Sequence, residues 1–210
     1  MAQNGLLVGL TGGIGTGKTR VADLLASLGA AVECSDKIVR ELQAGGGAVL
    51  RAIAEAFGPE YLTPDGELDR AKLGKKVFAD AQARMRLNAL VHPLVTAELQ
   101  RRVAAHRAKG TAVIVVDIPL LLEGRKAGVG TGAVLPFDVI ALVYSSPEQQ
   151  LERVTVRDAL SADDARARIA AQLPIDEKRA LADVVIDNTG AWEATEKQVR
   201  ELYALWSRRG

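Results

Sequence analysis

The sequence predicts an α/β protein built on a parallel sheet with helices packed around it. Short apolar runs alternate with stretches of helical spacing. The runs also show little polar alternation, as strands covered on both faces do. Strands are predicted at Leu6–Leu10, Ala30–Cys34, Ala112–Val116, Val139–Val143 and Val184–Ile186. The first is followed by a helical pattern, Val21 to Leu28, and the second by one from Lys37 to Gln43. From about Ala44 to Lys109 no strand is predicted. Helical patterns fill the interval at Ala48–Phe57, Asp69–Phe78, Ala81–His92 and Pro93–Ala108, as in a helical subdomain (44–109) inserted between strands two and three. The glycine-rich stretch Gly124 to Pro136 lacks periodicity and reads as a mobile loop. Pro147-Glu148 opens a helix, and Ser161-x-x-Asp164 resembles a capping box, so 147–174 reads as two short helices projecting from the sheet edge. Trp192 and Trp206 read as packing residues of a C-terminal helix.

Bulk properties bound the reading. The 210 residues suit one large domain, or a core with a smaller insertion, and a hydrophobic content of 48% suits a substantial core. A net charge of +1 gives no global field for nucleic acid or an anionic membrane. Cys34 stands alone, so no disulfide forms within a chain; in a buried strand it reads as inert packing. No charged leader precedes the first strand, and no apolar run approaches the roughly 18 residues of a membrane span. The expectation is a cytoplasmic protein with no obligate protein partner.

Between the first strand and the first helix lies Gly12-Gly13-Ile14-Gly15-Thr16-Gly17-Lys18-Thr19, which fits G-x-x-x-x-G-K-[ST]. Glycines let successive N–H groups curl into one concave nest, and the helix beginning near Gly17 adds its positive end. Lys18 then reaches outer phosphates, and the Thr19 hydroxyl holds a magnesium ion. In an open parallel sheet, ligands bind beyond the carboxyl ends of the strands. That rule selects Asp36, Asp117, Tyr144 to Pro147 and Asp187-Asn188 besides the loop.

Each candidate has a plainer alternative. Asp117 ends an apolar strand as a magnesium-binding carboxylate does, or it caps the turn before Pro119. Asp36 suits a group that orients an acceptor hydroxyl and takes its proton, or it caps the next helix. Arg153 and Arg157 share a helix face, with Arg168 on the next helix. They serve a transferring phosphoryl group, or form a solvated basic face paired with nearby carboxylates. His92 is a substrate contact or a satisfied helix-end residue.

A GTPase would need N-K-x-D and D-x-x-G, and a transporter ATPase would need L-S-G-G-Q; neither is present. A small-molecule kinase needs an acceptor-binding carboxylate, a helical substrate region and an arginine-bearing lid, and each has a candidate. A nucleotide-dependent switch and a kinase of another small acceptor remain open at this level.

An ordered set of motifs resembles the dephospho-CoA kinase family. It comprises Gly9 to Thr19, Asp36-Lys37 through Leu42, Asp65 to Phe78, Leu87-Asn88 through His92-Pro93, Asp117 through Glu123, Gln150 through Arg157-Asp158, Arg168-Ile169 through Gln172, and Ala182-Asp183 through Gly190. The resemblance implies a three-layer P-loop NTPase fold with sheet order 2-3-1-4-5, a helical CoA-binding insertion and a helical lid over 147–174. It implies ATP and Mg2+, with phosphorylation of the ribose 3′-hydroxyl of dephospho-CoA. Asp36, Lys18 and Arg157 become the catalytic set. Residues 12–19, that is Gly12, Gly13, Ile14, Gly15, Thr16, Gly17, Lys18 and Thr19, hold the nucleotide, with Asn188 near its adenine. Asp36, Arg40 and His92 contact the substrate, and Thr19 and Asp117 hold the metal. The chain departs from the family pattern in its long glycine-rich stretch before Asp138 and in Thr rather than Ser at positions 16 and 19.

Overall fold

The structure, a computed structural model, describes residues 5–209. Its five strands are β1 (Leu6–Gly12), β2 (Ala31–Cys34), β3 (Val113–Asp117), β4 (Val139–Tyr144) and β5 (Val184–Asp187). They form one sheet in the order β2-β3-β1-β4-β5. β1 runs parallel to both β3 and β4, and β4 runs parallel to β5. The register aligns the carboxyl ends: Leu10 pairs with Asp117, Gly12 with Val143, and Tyr144 with Asp187. Every residue of β3 is buried, which is why the strand reads as an unbroken apolar run.

One large core lies on the sheet. Val8, Leu10, Val115, Ala141, Val143 and Ile186 meet Val21 and Leu25 of α1 (Lys18–Ser27) and Val199 and Trp206 of α11 (Trp192–Trp206). Trp206 is fully buried, and Trp192 packs against this core beneath the Arg20 guanidinium, 3.8 Å from its ring centroid.

By its contacts the chain forms two compact units: residues up to Glu33 together with Arg102 onward, and Cys34–Arg101. The second unit contains α2 (Ser35–Leu42), α3 (Ala48–Phe57), a 3-10 turn (Pro59–Tyr61), α4 (Arg70–Ala79) and most of α5 (Ala81–Ala108). Its core is Val49, Leu50, Ile53, Leu68 and Leu73, edged by Phe57 and Tyr61 in a T-shaped contact at 6.1 Å.

Two expectations are corrected. The helical patterns on either side of Pro93 are one continuous helix, α5, with Pro93 inside it. Proline removes one backbone hydrogen bond and crowds the preceding turn, a cost of about 3 kcal/mol. Burial of Val95, Leu99 and Val103 along the same helix offsets it. The glycine-rich stretch is not a loop. It folds as α6 (Leu121–Ala127) and α7 (Gly130–Val134). Gly132 is buried, and a Cβ there would run into the carbonyl oxygen of Leu121. Glycine here allows two short helices to approach closely, so the composition that suggested mobility serves packing.

The expected helical pair over 147–174 is present as α8 (Pro147–Asp158) and α9 (Ala162–Ala170), followed by α10 (Ile175–Leu181). Ser146 and Gln149 form a reciprocal capping box on α8. The Ser161 hydroxyl accepts from the Asp164 N–H at 3.1 Å to cap α9. Cys34, expected to be buried, is only partly so. No helix among the described residues is long and apolar enough to cross a membrane.

Candidate active site

The site is built where β1 ends. Its last residue, Gly12, opens the loop, and α1 begins at Lys18. Gly15 and Gly17 adopt φ of 80° and 85°, a left-handed backbone that side-chain-bearing residues rarely take. The turn is fixed from inside: the Thr16 hydroxyl donates to the Gly13 carbonyl at 2.8 Å, and the Thr16 N–H donates to the same oxygen at 3.3 Å. Lys18 and Thr19 occupy the first turn of α1, where unpaired N–H groups and the helix dipole favour phosphate.

Asp117 ends β3 beside β1, is buried, and receives the Lys18 ammonium in a direct ion pair. The turn that follows is tied to β1 twice. The Ile118 N–H donates to the Leu10 carbonyl at 3.0 Å, and the Thr11 hydroxyl donates to the Pro119 carbonyl at 3.1 Å. Backbone and Thr11 thus hold the turn before Pro119, and Asp117 pairs with Lys18. The oxygen donors of Thr19 and Asp117 suit a hard divalent cation. Among the described residues no three His, Cys, Asp or Glu side chains come together. A hydroxyl and a carboxylate oxygen are donor types that Mg2+ takes, with phosphate and water completing its shell.

Below the loop lies a polar network. Asn188, 8% exposed, donates through Nδ2 to the Thr16 carbonyl at 2.8 Å and accepts from the Thr195 hydroxyl at 3.1 Å. Arg153 donates to the Ser145 hydroxyl at 2.7 Å, to the Asn188 carbonyl at 3.1 Å and to the Gly15 carbonyl at 3.3 Å. Gln150 is buried with its Nε2 on the Ser145 carbonyl at 3.1 Å. From the other side the Ile14 N–H donates to Gln172 Oε1 at 3.0 Å.

Arg157 stands apart from this network. Its side chain is 59% exposed and makes a two-pronged contact with Asp158 at 2.7 and 2.9 Å, and Arg168 reaches the same carboxylate at 3.2 Å. The Asp158 contact raises the Arg157 pKa, and Arg157 in turn holds the Asp158 carboxyl below the usual range. Of the arginines singled out from sequence, Arg153 is thus joined to the loop, while Arg157 is exposed and paired with Asp158.

In the second unit, Asp36 and Arg40 are exposed and one helical turn apart on α2, which follows β2 directly. Asp36 occupies the first turn of that helix. His92 is half-buried within α5, one residue before Pro93 and not at a helix end.

Sequence reasoning did not single out the pair of Lys178 and Glu123. Lys178 is fully buried, 2.7 Å from Glu123 Oε1, with the Pro119 carbonyl at 3.4 Å. Burial pushes its pKa below 10.5, and Glu123 partly opposes the shift. The signal was present in part, since Glu123 and Gln172 close two of the quoted motifs.

A phosphate nest at the carboxyl end of β1, the central strand of a 2-3-1-4-5 parallel sheet, with a lysine and a strand-end aspartate against it, defines a P-loop kinase. The sequence profile of the dephospho-CoA kinase family matches residues 6–193. A dephospho-CoA kinase of Carboxydothermus hydrogenoformans is 40% identical over 95% of this chain and 94% of its own. One of Streptomyces avermitilis is 44% identical over 95% of this chain and 93% of its own. The solved dephospho-CoA kinase of Campylobacter jejuni superposes with a TM-score of 0.69 at 25% identity, covering 96% of this chain and 97% of the other. The chain belongs to the dephospho-CoA kinase family.

Proposed function

We propose that the protein transfers the γ-phosphoryl group of ATP to the ribose 3′-hydroxyl of dephospho-CoA, giving coenzyme A and ADP. The observation that carries this is the loop Gly12–Gly17 curled by two left-handed glycines onto α1, with Lys18 held against Asp117. The N–H groups of the loop and Lys18 hold the phosphates. Thr19 and Asp117 hold Mg2+, which neutralises charge on the phosphates when bound. Asp36 orients the 3′-hydroxyl for in-line attack and takes its proton. Arg40 and His92 contact the substrate, with residues 44–109 as the CoA-binding part. Asn188 shapes the floor of the loop on the adenine side. The 147–174 segment acts as a lid. Its closure frees Arg157 from Asp158 for the transferring group and excludes water. We place the reaction in the cytoplasm.

The test is the position of the new phosphate. After incubation with Mg-ATP and dephospho-CoA, phosphorus NMR should show one added phosphomonoester on the ribose 3′-oxygen. Phosphate on another oxygen, or none, contradicts the proposal.

A further inference from the structure

We propose that Gln172 is a positioning residue for phosphoryl transfer. It holds the Ile14 peptide of the phosphate loop from a short strap at the lid's base, and the buried Lys178–Glu123 pair anchors that strap. The inference rests on the function proposed above.

Three contacts carry it. Gln172 lies in the turn between α9 and α10, and its Oε1 accepts the Ile14 N–H at 3.0 Å. Ile14 is in the first half of the loop, four residues before Lys18, so this bond fixes the orientation of a loop peptide from outside the loop. The next residue, Leu173, donates its N–H to Glu123 Oε1 at 3.0 Å. The same oxygen accepts from Lys178 at 2.7 Å. Lys178 also reaches the Pro119 carbonyl at 3.4 Å, which the Thr11 hydroxyl contacts at 3.1 Å. The strap is therefore tied to the turn that follows Asp117 and to the loop that carries Lys18. Glu123 Oε2 is buried with no hydrogen-bond partner among the described residues. Both bonds of the carboxylate are concentrated on the oxygen that serves the strap, and the other is left bare. That arrangement favours geometry over solvation.

The mechanical consequence is specific. An unheld loop peptide samples orientations that bind nucleotide but do not match the transition state, so turnover falls more than binding. The experiment compares Gln172→Met, which keeps length but removes the acceptor, with Lys178→Met and with both together. The readouts are kcat, KM for each substrate, the thermal midpoint and the exchange rate of the Ile14 amide proton. We expect Gln172→Met to lower kcat about tenfold, with both KM values within about threefold and Ile14 exchange about tenfold faster. Lys178→Met should lower kcat similarly, and the double variant should be no worse than the poorer single. If Lys178→Met does not fold, Glu123→Gln/Lys178→Met takes its place.

Wild-type kcat or unchanged Ile14 exchange in Gln172→Met overturns the proposal. A loss confined to KM for ATP does the same, and losses that multiply in the double variant remove the anchor. If the wild type fails to phosphorylate dephospho-CoA, the proposed function falls, and the exchange rates alone decide whether Gln172 holds the loop.

Discussion

The Asn188 carboxamide donates to the Thr16 carbonyl at 2.8 Å, joining residues 172 positions apart. The bond runs from the residue after β5 to the middle of the phosphate loop, and Arg153 bridges the two from below. The nest is thus supported from the end of β5 and from α8, segments that the chain brings to the loop only on folding.

Replacing Asn188 with alanine removes the donor to Thr16 and the acceptor of Thr195. The Thr16 carbonyl keeps the Ser145 hydroxyl at 3.4 Å and the Thr195 hydroxyl keeps the Asp187 carbonyl at 2.9 Å, so the loss is that of the hydrogen bonds themselves, about 0.5–1.5 kcal/mol each. The expected result is a lower thermal midpoint and weaker ATP binding, by about tenfold or more on titration calorimetry. Unchanged affinity would mean that the loop keeps its shape without this support.

Asp36→Asn keeps the size of the side chain and removes its ability to accept a proton. It should lower kcat by about 10²–10⁴ while leaving KM for ATP nearly unchanged. Steady-state kinetics with varied ATP checks this, and a variant with wild-type kcat would remove Asp36 from the catalytic set.

Lys178 gives a pH signature. Burial lowers its folded pKa below the ordinary lysine value of 10.5 that the unfolded chain keeps. Between those two values the unfolded state binds more protons, so this group's contribution to stability rises with pH. Thermal midpoints of wild type and Lys178→Met, measured at several pH values up to 10, should diverge in favour of the wild type as pH increases. Parallel curves would show that Lys178 titrates normally.

Two glycine substitutions should have opposite signs. At Gly132 an added Cβ runs into the Leu121 carbonyl, a backbone atom that cannot move aside cheaply. Gly132→Ala should destabilise by about 1–3 kcal/mol. At Gly74, inside α4, nothing lies within 4 Å of the added atom. Gly74→Ala should stabilise by about 0.5–1 kcal/mol. Denaturant titration of both variants checks the contrast.

The strands and the phosphate loop were legible because each rests on local chemistry. β3 and β4 are apolar at nearly every position, and the loop needs glycines at fixed spacing before Lys18. The α6–α7 pair was not legible. Its glycines serve close approach to Leu121, a tertiary contact that local sequence reads as looseness. Pro93 misled in the same way, since the burial that offsets its cost within the continuous α5 is not local. Among site residues, Lys18 and Asp117 form an ion pair that the sequence did not announce. Arg153 and Gln172 turned out to hold loop backbone, and only long-range folding shows that.

The measurement that tests the central claim most directly is ADP release from Mg-ATP by the purified protein, with and without dephospho-CoA, and with AMP or adenosine in its place. The account predicts release that depends on dephospho-CoA, one ADP for each coenzyme A formed, and little without it. Equal release without an acceptor, or turnover supported only by AMP or adenosine, would contradict it and leave only a phosphate-binding fold.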